Sequence, residues 1–116
     1  MILAILAAAA LTPTAEDAAG RYSAEAGEAA CSITLRPAAA RLPESNLEGE
    51  TVSGFAFAAP DCQAGLSRAA FWRLSLTEGR LRLVDGSGET LFEGRLEAPV
   101  WTGQTPDGEP VTLRPR

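Results

Sequence analysis

The stretch that decides the fold is residues 72–83, which reads WRLSLTEGRLRL. Apolar residues occupy every second position from Trp72 to Leu76, and after Gly79 leucine alternates with arginine in the same way. An alternation with period two is typical of a strand with one buried face, and Glu78-Gly79 between two such runs is typical of a tight hairpin turn. The stretch therefore predicts two antiparallel strands, each with one apolar face.

The same pattern continues in both directions along the chain. Upstream, Cys31, Ile33 and Leu35 alternate with polar residues until Pro37, and downstream three further alternating runs follow turn signals at residues 85–88 and 106–109. Turn signals every eight to twelve residues predict an all-β fold of about eight strands in up-and-down order. Closure of such a meander removes its exposed edges, so we predict a small eight-stranded antiparallel up-and-down β-barrel.

Two local departures from regular strands are predicted. In residues 51–58 the apolar positions Val52, Phe55 and Phe57 change period near Gly54, which indicates a bulge or a sharp bend at that glycine. Within residues 12–19, Thr14 followed by Asp17 resembles a helix N-cap with an acidic third residue, which indicates one short N-terminal helix.

Composition excludes several functional classes. The 116 residues are enough for one domain, and the net charge of −5 argues against nucleic acid, which requires clustered cations. The ten basic residues are all arginine and are interspersed with acids, a pattern typical of a solvated surface of mixed charge. With no histidine, one pair of cysteines and no glycine-rich phosphate loop, the chain is predicted to be a binding protein without cofactor or enzymatic activity.

The N-terminus is predicted to be an export signal. Residues 1–10 form an apolar, alanine-rich run with an A-x-A cleavage pattern ending at Ala10, and a second candidate cut follows Ala15. No cysteine follows this run, so we expect a periplasmic protein without a lipid anchor. In that oxidising compartment Cys31 and Cys62 permit one intramolecular disulfide, whose loop of about 30 residues is worth roughly 3–4 kcal/mol. Two free thiols or an intermolecular bridge are the alternatives.

A series of residues in the predicted strands and turns also resembles a known family. They are Gly20-Arg21-Tyr22, Cys31-Ser32-Ile33-Thr34-Leu35, Cys62, Trp72, the hairpin at residues 79–83, Asp85 with Gly88, Trp101 with Gly103, and Gly108 before Leu113. In this order they resemble the bacterial AprI/Inh-type inhibitors of secreted zinc metalloproteases of the serralysin kind. The resemblance covers roughly residues 20–113.

The resemblance implies a periplasmic, monomeric inhibitor with an eight-stranded barrel, one disulfide and no metal of its own. In that family the mature N-terminal arm inserts into the protease cleft, and its terminal amine reaches the catalytic zinc. Carried over to this chain, residues 11–19 would be the arm and residues 20–116 the inhibitor barrel domain. The inhibitory residues would then be Leu11, Thr12, Pro13 and Thr14.

Other hypotheses compete with this one. A small exported barrel could bind an apolar ligand in its interior, as lipocalins do, or could be a structural envelope protein without inhibitory activity. Trp72 is predicted to pack in the barrel core. Trp101 lies beside Gly103 and near a turn, so it is a candidate for either the core or an interface with a partner.

Overall fold

The computed structural model describes residues 18–37 and 51–116, which form one closed antiparallel barrel. A single 3-10 turn, Leu66–Arg68, lies in the connection between the third and fourth strands. The predicted helix over residues 12–19 lies almost wholly outside the described residues. The strands are β1 Gly20–Ala26, β2 Ala29–Pro37, β3 Thr51–Ala58, β4 Phe71–Ser75, β5 Arg80–Val84, β6 Thr90–Glu97, β7 Val100–Gln104 and β8 Pro110–Pro115.

The strand order confirms the predicted up-and-down barrel. Each strand pairs antiparallel with the next, and β8 returns to pair with β1 in a register that sets Ala24 opposite Leu113. Closure pairs the backbone groups that an open sheet would leave exposed at its two edges.

The two ends of the barrel differ in what they carry. We call the end at which β1 begins the root end; it also holds the end of β2, the hairpin turn at Gly79 and the end of β8. We call the opposite end the disulfide end, because Cys31 near the start of β2 is bonded there to Cys62 in the connection between β3 and β4. The predicted pairing of the two cysteines is therefore confirmed.

The interior is filled by side chains from all eight strands. Along β4 and β5 the alternating tryptophan and leucines point inward, as the sequence pattern predicts. The largest fully buried side chains are Trp72, Trp101, Phe92, Ile33, Leu35, Leu66, Leu74, Leu81, Leu83, Leu113, Val84 and Val111. Small residues, including Ala24, Ala26 and Ala56, are also buried in this interior. An eight-stranded barrel is just wide enough to be filled in this way.

The prediction of a bulge at Gly54 is wrong. The strand β3 pairs with β2 and β4 without a register shift, and its inward positions are Val52, Gly54 and Ala56, while Phe55 and Phe57 point outward. Gly54 is required for a different reason: a Cβ at this position would collide with the Trp72 indole and with the carbonyl of Arg36. The glycine therefore makes space for a core tryptophan.

Candidate functional site

The predicted inhibitory arm, Leu11 to Thr14, lies outside the described residues. The described chain begins at Ala18, which is 0% exposed and packs in the hydrophobic core just before β1. Ala18 is therefore the root of the segment that precedes the barrel, and its position is determined by core packing at the root end.

Two hydrogen bonds connect this root to the barrel wall. The Tyr22 hydroxyl donates to the Ala18 carbonyl at 2.8 Å, and the Trp101 indole Nε1 donates to the Tyr22 hydroxyl at 3.3 Å. Both side chains reach the same place because Tyr22 lies near the start of β1 and Trp101 near the start of β7, and both positions are inward. The backbone at Ala18 is thus tied to two different strands of the barrel.

Both tryptophans belong to the core. Trp101 is 0% exposed, so of the two places predicted for it, core or interface, its side chain occupies the core, where it supports the root from inside. Trp72 packs in the core as predicted, and its indole Nε1 donates to the Arg36 carbonyl at 2.9 Å across Gly54. The sequence pattern alone could not place Trp101, because the glycine and the turn beside it also fit a surface loop.

A cluster of arginines on the outer wall is a second feature, and it was not apparent in the sequence. The arginines are interspersed with acids along the chain, but strand pairing sets Arg73 opposite Arg82 and Arg80 opposite Arg95 on the outer wall. We call these four residues, on β4, β5 and β6, the arginine face. Their outward positions follow from the alternation in each strand, but their juxtaposition depends on the register between strands, which composition does not report.

Few acidic groups balance the arginine face. Glu93 on β6 accepts a hydrogen bond from Arg80 at 2.9 Å and lies 3.8 Å from a guanidinium nitrogen of Arg82. The Glu78 carboxylate is 3.9 Å from Arg80. Within residues 18–37 and 51–116, no acidic side chain forms an ion pair with Arg95.

The wall beside these arginines is concave. A groove of about 580 Å³ runs along β5, β6 and β7, with Arg80, Arg82 and Arg95 lining it. Thr90 and Thr102 also line this groove. Its lining is therefore rich in hydrogen-bond donors and carries excess positive charge.

Next to the arginine face, three aromatic rings lie on the outer wall. Phe55 is 39% exposed and Phe57 57% exposed, although both are large and apolar. The Phe55 and Phe71 rings are 5.9 Å apart, and Phe71 is two residues from Arg73 on the same face of β4. We call Phe55, Phe57 and Phe71 the phenylalanine patch.

The Asp85 carboxylate is held by hydrogen bonds within the turn between β5 and β6. One carboxylate oxygen accepts hydrogen bonds from the Glu89 backbone at 2.9 Å and from the Ser87 backbone and hydroxyl at 2.9 and 2.8 Å. The pKa of Asp85 is lowered from its ordinary value of 3.8, first by the Glu89 backbone hydrogen bond and then by the Ser87 hydroxyl. These bonds close the turn, in agreement with the turn role of aspartate.

The described part of the chain shows neither a candidate metal site nor a membrane-spanning helix. Its Cys, Asp and Glu side chains nowhere come together in a group of three or more that could hold a metal ion. No helix in the same residues is both long and apolar enough to cross a membrane.

Fold and surface together define a small disulfide-bonded antiparallel barrel with a packed interior, an anchored N-terminal root and one cationic wall. Against models of known protein families and against curated protein sequences, the chain gives no match.

Proposed function

We propose that this protein is a periplasmic inhibitor of secreted zinc metalloproteases of the serralysin type, which acts by inserting its mature N-terminal arm into the active-site cleft. The observation that carries the proposal is the root at Ala18, which hydrogen bonds through Tyr22 and Trp101 hold against the barrel. A segment that leaves a rigid body from a defined point loses less conformational freedom on binding than a free peptide does.

The chemistry of the proposed arm suits a zinc site. A neutral terminal amine can donate its lone pair to zinc and occupy the position of the nucleophilic water. Pro13 has a fixed φ and no backbone N–H, so it stiffens the arm and makes a poor cleavage position. The few residues between Thr14 and Ala18 then separate the inhibitory segment from its anchor.

The disulfide and the packing of the interior also support this proposal. The bond between Cys31 and Cys62 is compatible with the oxidising conditions of the periplasm. The interior holds Trp72, Trp101 and Phe92, each fully buried, which favours recognition at the surface or through the arm. An apolar ligand inside the barrel remains a prediction to which this packing lends no support.

The experiment begins with the intact mass of the exported protein, which identifies the mature N-terminus. The same material is then titrated against a serralysin-type protease, with a variant that lacks residues 11–14 beside it. We expect stoichiometric inhibition by the mature protein and loss of inhibition on deletion. Full activity of several such proteases at saturating mature protein would contradict the proposal, and binding of an apolar fluorescent probe by the same material would then favour the lipocalin-like alternative.

A second variant tests the root itself. Tyr22→Phe removes the hydroxyl that donates to Ala18, and we expect weaker inhibition because the arm leaves the barrel from a less defined point. Val111→Ala, which truncates a buried side chain near the disulfide end, is the matched control for general loss of stability. Equal inhibition constants for Tyr22→Phe and the unaltered protein would show that the root does not contribute.

A further inference from the structure

The arginine face has an unfavourable arrangement for an isolated protein. Like charges directly opposite each other on neighbouring strands destabilise a sheet, and here two such pairs, Arg73–Arg82 and Arg80–Arg95, lie side by side. Glu93 contacts only Arg80 and Arg82 among them. Among the described residues, this face therefore holds more positive charge than Glu93 and Glu78 neutralise, on a chain whose net charge is −5.

Hydrogen-bonding capacity on this face is also unused. The Nε of Arg73 is buried and has no hydrogen-bond partner in the described structure. An unsatisfied buried donor costs free energy, so hydrogen bonds within the described structure do not fully stabilise this face. Arg95, by contrast, is exposed at the rim of the groove. Guanidinium groups bind carboxylates in bidentate geometry, so these side chains are suited to acidic groups.

The phenylalanine patch makes the same wall suitable for a protein. Phe55 stands between Phe71 and Arg36 in the pairing register, so two aromatic side chains and a cationic one lie side by side across the wall. Contiguous exposed apolar surface marks interaction sites, and phenylalanine and arginine are both enriched in protein–protein interfaces. A small inorganic anion would use the arginines and leave the rings exposed.

We propose that the outer wall formed by the arginine face and the phenylalanine patch is a docking surface for an acidic segment of a partner protein. Carboxylates of that segment bind Arg73, Arg80, Arg82 and Arg95, and an apolar side chain of the same segment packs on the phenylalanine patch. The site is distinct from the arm, because β5 lies on the opposite side of the closed strand order from β1. The proposal does not depend on protease inhibition.

The test uses a labelled peptide of sequence Glu-Asp-Glu-Phe-Glu-Leu-Asp-Glu and its counterpart in which Gln and Asn replace the acids. Fluorescence anisotropy with the full mature protein measures affinity at low and high salt. We expect binding of the acidic peptide that weakens with salt, and a loss of about tenfold for Arg82→Gln and for Arg95→Gln. Arg21→Gln, at an exposed position on β1, is the matched control and leaves the affinity unchanged.

A third variant separates a protein-docking surface from a simple anion site. Phe57→Ser removes an exposed ring while every arginine stays in place, and we expect it to weaken the acidic peptide but not inorganic phosphate. The proposal is overturned if Phe57→Ser has no effect and phosphate displaces the peptide completely, or if the Gln and Asn peptide binds equally well. It is also overturned if sedimentation shows a dimer that Arg82→Gln abolishes and the peptide does not disturb.

Discussion

At the scale of single residues, the packing of the barrel core depends on positions where a small side chain leaves space for a large one. Gly54 lets the Trp72 indole lie against β3 inside the barrel and reach the Arg36 carbonyl on β2. The sequence pattern indicated a bulge or a sharp bend at this glycine instead, because the apolar positions Val52, Phe55 and Phe57 change period there. The bulge prediction was wrong because two of the three inward residues of β3, Gly54 and Ala56, are too small to give an apolar signal, while Phe55 and Phe57 lie on the exposed side.

Gly54→Ala should destabilise the protein by about 1–3 kcal/mol, because the added Cβ overlaps the indole and a backbone carbonyl and forces the core to shift. Urea denaturation monitored by tryptophan fluorescence measures this change. Gly86→Ala is the matched control, since a Cβ there meets no atom within 4 Å. Equal unfolding midpoints for the two variants would contradict the account of Gly54.

At the scale of the elements, the hairpins were the easiest part to predict. The alternation from Trp72 to Leu83 marked both β4 and β5, but β4 ends at Ser75 and the turn takes the four residues 76–79 instead of the predicted two. The register is therefore set by the pairing of Ser75 with Arg80. The juxtaposition of Arg73 with Arg82 is a consequence of the same register, but it becomes visible only when the pairing is written out residue by residue. The arm residues Leu11 to Thr14 stay a prediction, because the described structure begins at Ala18.

The turn between β5 and β6 should make stability depend on pH. The folded-state pKa of Asp85 lies below its ordinary value of 3.8, so its stabilising contribution is fully present above that value and is lost as the pH falls through the folded-state pKa. Denaturant unfolding measured from about pH 5 downward should therefore show a steeper decline for the unaltered protein than for Asp85→Asn. Parallel curves for the two proteins would show that the turn does not couple to proton binding.

At the scale of the whole molecule, a small domain depends on closure and on one covalent bond. The barrel closes through β1 and β8, and the disulfide joins β2 to the connection that follows β3, with a sequence separation of 31 between its cysteines. The sequence could predict the class of fold because strand spacing, turn residues and cysteine number all agreed. It could not predict which surface is cationic, since that depends on the closed arrangement of the strands.

Replacement of both cysteines, Cys31→Ala with Cys62→Ala, should lower the free energy of unfolding by roughly 3–4 kcal/mol, because the unfolded chain regains the freedom of the closed loop. Thermal and urea unfolding measure the loss, and reduction of the unaltered protein should reproduce it. The bond lies at the end of the barrel opposite the root, so the folded fraction of the variant should bind partners with the same stoichiometry as the unaltered protein. Unfolding curves that coincide with those of the oxidised protein would contradict this prediction.

The pairing of β8 with β1 has one more consequence, for the re-engineering of this molecule. Because Tyr22 stands opposite Pro115, the first and last strands run side by side, and a short linker could join them covalently. A circular permutant opened at Gly108, in the turn before β8, would keep every strand pairing in the same wall. In such a chain the root is linked to β8 and no terminal amine lies beside it. Binding at the arginine face and the phenylalanine patch could then be measured without any contribution from the N-terminal arm.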